Sequence, residues 1–183
     1  MIALTFDDGP DPAHTPRVLD LLAERDVRAT FFVFGEKARQ RPDLIARALE
    51  AGHAIQPHCW ADHESHHRMS EDGLEADIAR TLGTLAHLGC PAPALWRPPY
   101  GDVKEPESHD VAARHDLRIV TWTLDTRDWD DDGGALSLAE VDAQLDADSV
   151  VLMHDPRPRT AALLAGLLDR IEARGLETGL MAA

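Results

Sequence analysis

The sequence is poor in cysteine, in basic residues and in long apolar runs. Its 183 residues include only two cysteines, Cys59 and Cys90, which excludes a disulfide framework and a Cys-x-x-Cys site. Lysine and arginine total 18 against 33 acidic residues, for a formal net charge of −15. That charge argues against nucleic acid and against anionic membrane surfaces, because both bind basic patches. No run of about 18 apolar residues is present to span a bilayer. We therefore expect neither nucleic acid nor a membrane among the partners.

No internal repeat, low-complexity segment or linker divides the chain, so we expect one domain over residues 1–183. Residues 1–15 contain three aspartates and neither a basic segment nor a long apolar one, so they do not resemble a secretory signal. We therefore expect a cytoplasmic protein or the mature form of an exported one, and we expect it to be a monomer.

Apolar periodicity and capping residues predict alternating strands and helices. The predicted strands cover residues 3–6, 29–34, 54–56, 94–96, 118–124 and 149–153. The predicted helices cover residues 16–25 after a Thr15 cap, 41–51, a Ser70-capped segment to 87, 107–114, a segment that starts at the Ser137–Glu140 capping box, and a final Thr160-capped helix ending at Gly175. Strict alternation favours a mostly parallel sheet, either doubly wound or closed into a barrel.

Polar residues cluster where the predicted strands end. In parallel α/β folds the carboxyl ends of the strands meet at one rim, where function gathers. The clusters are Asp7-Asp8, His58, Arg97, Asp125 to Asp128, and His154. Asp7 and Asp8 close an apolar strand before the Gly9-Pro10 turn, which suits one metal ligand and one proton-transfer group. An acidic surface turn is the alternative for this motif taken alone.

Asp8 and two histidines would give the three protein ligands that a catalytic zinc-type site needs. His58 is the best first histidine, since it follows a strand. The usual partner lies four residues later, but that position holds Asp62, and His63 follows it. His66 and His67 are further candidates. Four histidines within residues 58–67 favour metal binding over a surface or core role.

Five motifs in order resemble those of the polysaccharide deacetylases, which are the carbohydrate esterase family 4 or NodB-homology domains. They are Thr5-Phe6-Asp7-Asp8-Gly9-Pro10, His58 with a nearby histidine, Arg97-Pro98-Pro99-Tyr100-Gly101, Asp125-x-x-Asp128-Trp129 and Leu152-x-His154-Asp155. The resemblance covers residues 2 to about 180. It implies a single catalytic domain with the fold of a distorted (β/α) barrel of about seven parallel strands, and a divalent metal held by an Asp-His-His triad.

The resemblance also implies a role for each matching residue. Asp8, His58 and His63 would bind the ion, with zinc expected and cobalt, nickel or manganese as alternatives. Asp7 would be the general base, oriented by Arg97, and the backbone amide of Tyr100 would help hold the oxyanion. His154 would be the general acid, supported by Asp128. The substrate pocket would be formed by Leu152, Trp129 and Pro98.

The second motif departs from the family pattern. The family has His-(Ser/Thr)-x-x-His, whereas this chain has His58-Cys59-Trp60-Ala61-Asp62-His63, as if one residue were inserted. We take His63 as the third ligand and keep Asp62 as the alternative, which would give a harder, less zinc-like site. Cys59 stands where the family has a hydroxyl residue, and we expect it to be a small buried side chain.

The leading hypothesis is a metal-dependent deacetylase that releases acetate from the nitrogen of an amino sugar or related carbohydrate. The alternatives are an intracellular amidase for a small N-acyl or cyclic amide, and an O-acetyl esterase. The acidic charge favours the amidase modestly, because it would repel anionic cell-wall polymers. A catalytically inactive binding module would be expected to lack the base or the acid, and both are present.

Overall fold

The computed structural model describes residues 1–61 and 68–182. The strands are β1 (Ile2–Asp7), β2 (Thr30–Phe34), β3 (Ala54–Cys59), β4 (Leu95–Trp96), β5 (Arg118–Ile119), β6 (Leu124–Asp125), β7 (Val150–His154) and β8 (Thr178–Gly179). The helices are α1 (Thr15–Glu24), α2 (Gly35–Gln40), α3 (Pro42–Glu50), α4 (Glu71–His87), α5 (Glu107–Arg114), α6 (Leu138–Gln144) and α7 (Thr160–Ala173). None of the helices in these ranges is both long and apolar enough to cross a membrane.

The strands form a six-stranded sheet and a two-stranded sheet, in which every pairing is parallel. The large sheet has the order β3-β2-β1-β7-β6, with β8 also paired to β1, and β4 and β5 form the small sheet. This architecture confirms the α/β fold. Within the described residues the paired strands do not form a closed ring.

The two sheets meet at Pro57 in β3. The Pro57 carbonyl accepts a hydrogen bond from the Arg97 backbone amide at 3.4 Å, so this edge of β3 faces β4. Proline has no N–H to return a ladder bond. The side chain of Gln56 partly compensates, because its Oε1 accepts from the amides of Ala94 and Leu95 at 3.1 and 2.9 Å.

The central strand β1 determines the arrangement of the rim. All six of its residues are buried, as expected for a strand covered on both faces. Its register with β7 sets Asp7 beside His154, and its register with β2 sets Asp7 beside Phe32. The last residue of β1 therefore lies between two neighbouring strand ends at the carboxyl rim.

Helices cover this sheet through a continuous apolar core. Fully buried side chains include Leu4 and Phe6 of β1, Leu22 of α1 and Leu164 of α7. Each such side chain contributes about 1.5–3 kcal/mol through burial. A second cluster packs α4 and α5 around the buried Trp96. The rim is thus held by a core that lies below it.

Most helices have the predicted positions. The Ser70 cap is present, with its Oγ accepting from the Gly73 amide at 3.2 Å, and so is the Ser137–Glu140 capping box. The predicted Thr15 and Thr160 caps are wrong, since each residue lies in the first turn of its helix with no capping bond at the N-cap position. Their hydroxyls bind buried carboxylates instead, those of Asp155 and Asp128.

The predicted strand over 118–124 is also wrong, because this segment contributes to both sheets. The Val120 amide donates to the Trp96 carbonyl at 2.9 Å, whereas the Thr123 amide donates to the Val150 carbonyl at 3.0 Å. The chain therefore changes partner between β5 and β6. Two further elements, α2 and β8, were not predicted, and β3 extends three residues beyond the predicted strand to Cys59.

Candidate active site

A cavity of about 390 Å³ opens at the carboxyl ends of β1, β3 and β7. Seven of the predicted site residues line it: Asp7, Asp8, His58, Tyr100, Trp129, Leu152 and His154. Arg97 and Asp128 do not line the cavity but bind residues that do. Pro98 is buried and its neighbour Pro99 takes the lining position, so the pocket role predicted for Pro98 is not seen in the structure. His63 and Asp62 lie outside the described residues.

Asp7 forms a buried ion pair with Arg97. The Arg97 Nη1 donates to Asp7 Oδ1 at 2.8 Å, and both side chains are almost fully buried. The guanidinium is itself fixed, because Nη1 also donates to Thr5 Oγ1 at 2.8 Å and Nη2 donates to the Thr121 carbonyl at 2.9 Å. Its carbon lies 4.2 Å from the centroid of the Phe32 ring. Breaking a buried pair by removing one partner costs about 3–5 kcal/mol, so Arg97 holds Asp7 firmly.

Asp8 adopts the left-handed backbone region, with φ of 72°. This conformation directs it away from the strand, and its carbonyl accepts from the Lys37 Nζ at 2.9 Å. Burial raises the pKa of the Asp8 carboxyl. The hydrogen bond to His58 and the charges of His58, His154 and Lys37 outweigh burial, and the net pKa lies below its usual value. Asp8 is therefore an ionised ligand candidate at neutral pH.

The contacts of His58 fix which ring nitrogen faces Asp8. Its Nδ1 lies 2.6 Å from the carbonyl oxygen of Arg97, which can only accept, so Nδ1 carries the proton. In the neutral ring the lone pair is then on Nε2, which lies 3.3 Å from Asp8 Oδ1. Two facing acceptors require a cation or a proton between them. Imidazole nitrogen and carboxylate oxygen are common zinc ligands, so this donor pair fits a divalent ion.

Both candidates for the third ligand, His63 and Asp62, lie outside the described part of the chain. Within residues 1–61 and 68–182, no three His, Cys, Asp or Glu side chains form a group that could hold a metal. Asp8 and His58 therefore supply two ligands of the predicted triad. Cys59 is buried, as predicted, and its thiol donates to the Ala61 carbonyl at 3.0 Å.

His154, beside Asp7 on the neighbouring strand, is bound by Asp128. Its Nδ1 lies 2.7 Å from Asp128 Oδ1, and its backbone amide donates to Oδ2 at 2.8 Å. Burial lowers the pKa of the imidazole, but the Asp128 hydrogen bond and the charges of Asp128, Asp7 and Asp8 more than reverse this effect. The result is a pKa raised to about 9. His154 is thus protonated at neutral pH, with its Nε2 available to donate a proton.

Three lining residues were not among the predicted site residues: Pro99, Trp122 and Arg157. Trp122 lies in the segment between β5 and β6, and its ring packs against Gly101, whose φ is 66°. A side chain at position 101 would collide with that ring. Trp122 was not predicted because the sequence does not show that the chain changes its neighbouring strand between β5 and β6. Nothing in the local sequence marks Arg157 as a site residue. Asp125, predicted only as part of a strand-end cluster, also lines the cavity.

Tyr100 and Trp129 are the exposed aromatic residues at the mouth of the cavity. Tyr100 is 73% exposed and has φ of 60°, in a 3-10 turn over Pro99–Gly101, and Trp129 is 41% exposed. Large exposed aromatic side chains beside an acid–base pair are typical of a binding surface. The arrangement suits a ligand that extends beyond the cavity.

Known proteins are similar to this chain in sequence and in fold. The sequence profile described as polysaccharide deacetylase matches residues 1–120. A peptidoglycan-N-acetylglucosamine deacetylase of Listeria monocytogenes is 37% identical over 96% of this chain, which spans 37% of the length of that relative. A chitooligosaccharide deacetylase of Sinorhizobium fredii is 34% identical over 95% of this chain and 86% of its own length.

Solved structures agree with this assignment. A family 4 carbohydrate esterase from Streptomyces lividans, in complex with acetate, has a TM-score of 0.89 at 30% identity and covers 99% of this chain and 92% of its own. An acetyl xylan esterase of Clostridium thermocellum, in complex with a cobalt ion, has a TM-score of 0.84 at 30% identity, with coverage of 98% and 87%. The profile, the relatives and the fold agree with the motifs at the rim, and the chain belongs to the polysaccharide deacetylase family.

Proposed function

We propose that this chain is a metal-dependent deacetylase that hydrolyses the N-acetyl group of an amino sugar in a glycan. The observation that carries the proposal is the β1–β7 register, which sets Asp7 beside His154. Each of these residues has its own oppositely charged partner, Arg97 for Asp7 and Asp128 for His154. A carboxylate that could act as a base and an imidazole that could act as an acid are thereby held side by side, each bound by an oppositely charged partner.

A divalent ion would be held by Asp8 and His58, with His63 as the proposed third ligand. When bound, the ion would polarise the acyl carbonyl and lower the pKa of a water molecule. Zinc suits these ligands, and the cobalt ion in the acetyl xylan esterase makes cobalt a reasonable ion for reconstitution.

Asp7 takes the proton from the attacking water, because its carboxylate lines the cavity and is held in place by Arg97. The backbone amide of Tyr100 helps to stabilise the negative oxygen of the tetrahedral intermediate. His154 donates its proton to the departing nitrogen, since an amine leaves poorly unless it is protonated. Asp128 keeps His154 charged for that step. Leu152 and Trp129 are proposed to contact the acetyl methyl group.

The test is acetate release by the metal-loaded chain from four substrates: an N-acetylglucosamine oligomer, a peptidoglycan glycan strand, acetylated xylan and small N-acetyl amines. We expect acetate and a free amine from at least one of the two glycans with N-acetyl groups. Release only from acetylated xylan would make the chain an O-acetyl esterase, and release only from small amides would make it an amidase. Either outcome contradicts the proposal.

A further inference from the structure

Arg157 brings a permanent positive charge to a cavity that is lined by three carboxylates and by His154. Its lining includes the carboxylates of Asp7, Asp8 and Asp125, in a chain with a net charge of −15. Among the described residues that line it, Arg157 is the only lysine or arginine. An anionic substrate would be repelled by this surface unless a local cation receives it.

The backbone places Arg157 next to the proposed acid. The chain turns directly after β7, and the Arg157 amide donates to the His154 carbonyl at 3.1 Å. In the proposed reaction His154 protonates the nitrogen of the sugar, so a cation beside His154 would meet the sugar rather than the acetyl group.

The guanidinium of Arg157 makes only weak contacts with the protein. Its Nη1 lies 3.9 Å from Asp131 Oδ2, which is beyond hydrogen-bonding distance. Its Nε is buried and has no hydrogen-bond partner within the described ranges. A carboxylate of the substrate can therefore bind the exposed part of the guanidinium without displacing a hydrogen bond from the described residues.

Arg159, two residues later, provides the contrast. Its Nη1 donates to the Asp130 carbonyl at 2.9 Å, and its Nη2 lies 3.7 Å from Asp131 Oδ1. Arg159 does not line the cavity. It is therefore engaged by the protein, and it also supplies Asp131 with a cation in the absence of Arg157.

We propose that Arg157 binds a carboxylate carried by the glycan beside the reacting N-acetyl group, so that the substrate is an anionic glycan and not a neutral one. This inference rests on the proposed deacetylase function. The planar fork of arginine matches the two oxygens of a carboxylate, and hydrogen bonds between charged groups are roughly twice as strong as neutral ones. Arg157 acts as a specificity-determining residue that offsets the acidic rim where the substrate enters.

The experiment compares two substrates that differ in one charge. One is an N-acetylglucosamine polymer in which alternate residues carry a lactyl ether with a free carboxylate, and the other is its methyl ester. The measured quantity is the ratio of kcat/KM for the acid to kcat/KM for the ester, with the metal-loaded chain. Arg157→Gln should lower this ratio roughly 10- to 100-fold, mostly through KM. Arg157→Lys should recover part of the loss, because it restores the charge without the fork.

Arg159→Gln is the matched control, and its ratio should stay within about twofold of the unmodified chain, as expected for an exposed ion pair. An equal loss in both arginine variants, or an unchanged ratio in Arg157→Gln, overturns the proposal. Calorimetric binding of the acid and the ester to both variants gives the same comparison without turnover. Hydrolysis of both glycans with no charge preference refutes the role of Arg157 alone, whereas hydrolysis of neither refutes the deacetylase function.

Discussion

Neutralising Asp128 should move the alkaline limb of the rate profile to lower pH. Burial lowers the pKa of His154, but the Asp128 hydrogen bond and the charges of Asp128, Asp7 and Asp8 together raise it to about 9. In Asp128→Asn the contributions of Asp128 are lost, and the pKa falls back toward its ordinary value. A general acid must be protonated to act, so the rate falls as pH rises through its pKa.

The size of the effect follows from these pKa values. With a pKa of about 9, His154 is almost fully protonated at pH 7 and about nine-tenths protonated at pH 8. With a pKa near 6.5, the protonated fraction is about one quarter at pH 7 and about 3% at pH 8. The variant should therefore lose roughly fourfold at pH 7 and roughly 30-fold at pH 8 from protonation alone. A bound divalent ion offsets the charges of Asp7 and Asp8. It therefore lowers the pKa of His154 both in the unmodified chain and in the variant, and the direction of the difference between them stays the same.

The assay is kcat/KM for glycan deacetylation between pH 5 and 10, since this parameter reports the pKa values of the free enzyme. Thr160→Ala is the control, because the Thr160 hydroxyl binds the same Asp128 carboxylate and its removal leaves the charge in place. A melting temperature for each variant separates loss of fold from loss of rate. If Asp128→Asn lowers the rate equally at every pH, Asp128 only orients the ring, and its proposed electrostatic role is wrong.

Three further predictions concern the ion and the base. Asp8→Ala should abolish both the bound ion, about one per chain by the logic of catalytic zinc sites, and activity; a variant with full metal content would contradict the ligand assignment. Asp7→Asn should keep the ion and lose roughly 10²- to 10⁴-fold in kcat, because it removes proton transfer without removing a ligand; metal analysis beside turnover checks this. His63→Ala should weaken metal affinity more than Asp62→Asn in a zinc titration, and the reverse order would make Asp62 the third ligand.

The rim could be predicted from the sequence because its signals are local. Asp7 ends a mostly apolar run before Gly9-Pro10, and His154 ends the run from Val150. Such strand ends in an alternating α/β pattern converge on one rim whatever the exact strand order. The same pattern predicted the α/β fold without showing that the strands divide into two sheets.

The features that were not predicted depend on residues that are distant in the sequence. Thr15 and Thr160 have ideal cap sequences, yet buried carboxylates more than 30 residues away compete for their hydroxyls. Trp122 was assigned to a continuous strand because nothing local shows that Val120 and Thr123 bind different neighbours. The proposed role of Arg157 depends on its neighbours in space, and the sequence alone does not show which residues these are.

Because β1 is central in the sheet, the arrangement of Asp7 and His154 depends on the stability of the whole fold. Asp7 and His154 are adjacent through a ladder of five paired positions, from Ala3–Val150 to Asp7–His154. Ladders at the centre of a sheet open only with the whole domain, whereas loops open at much lower free energy. The separation between base and acid therefore cannot drift while the domain is folded. Heat inactivation of this pair and cooperative melting of the sheet are a single event.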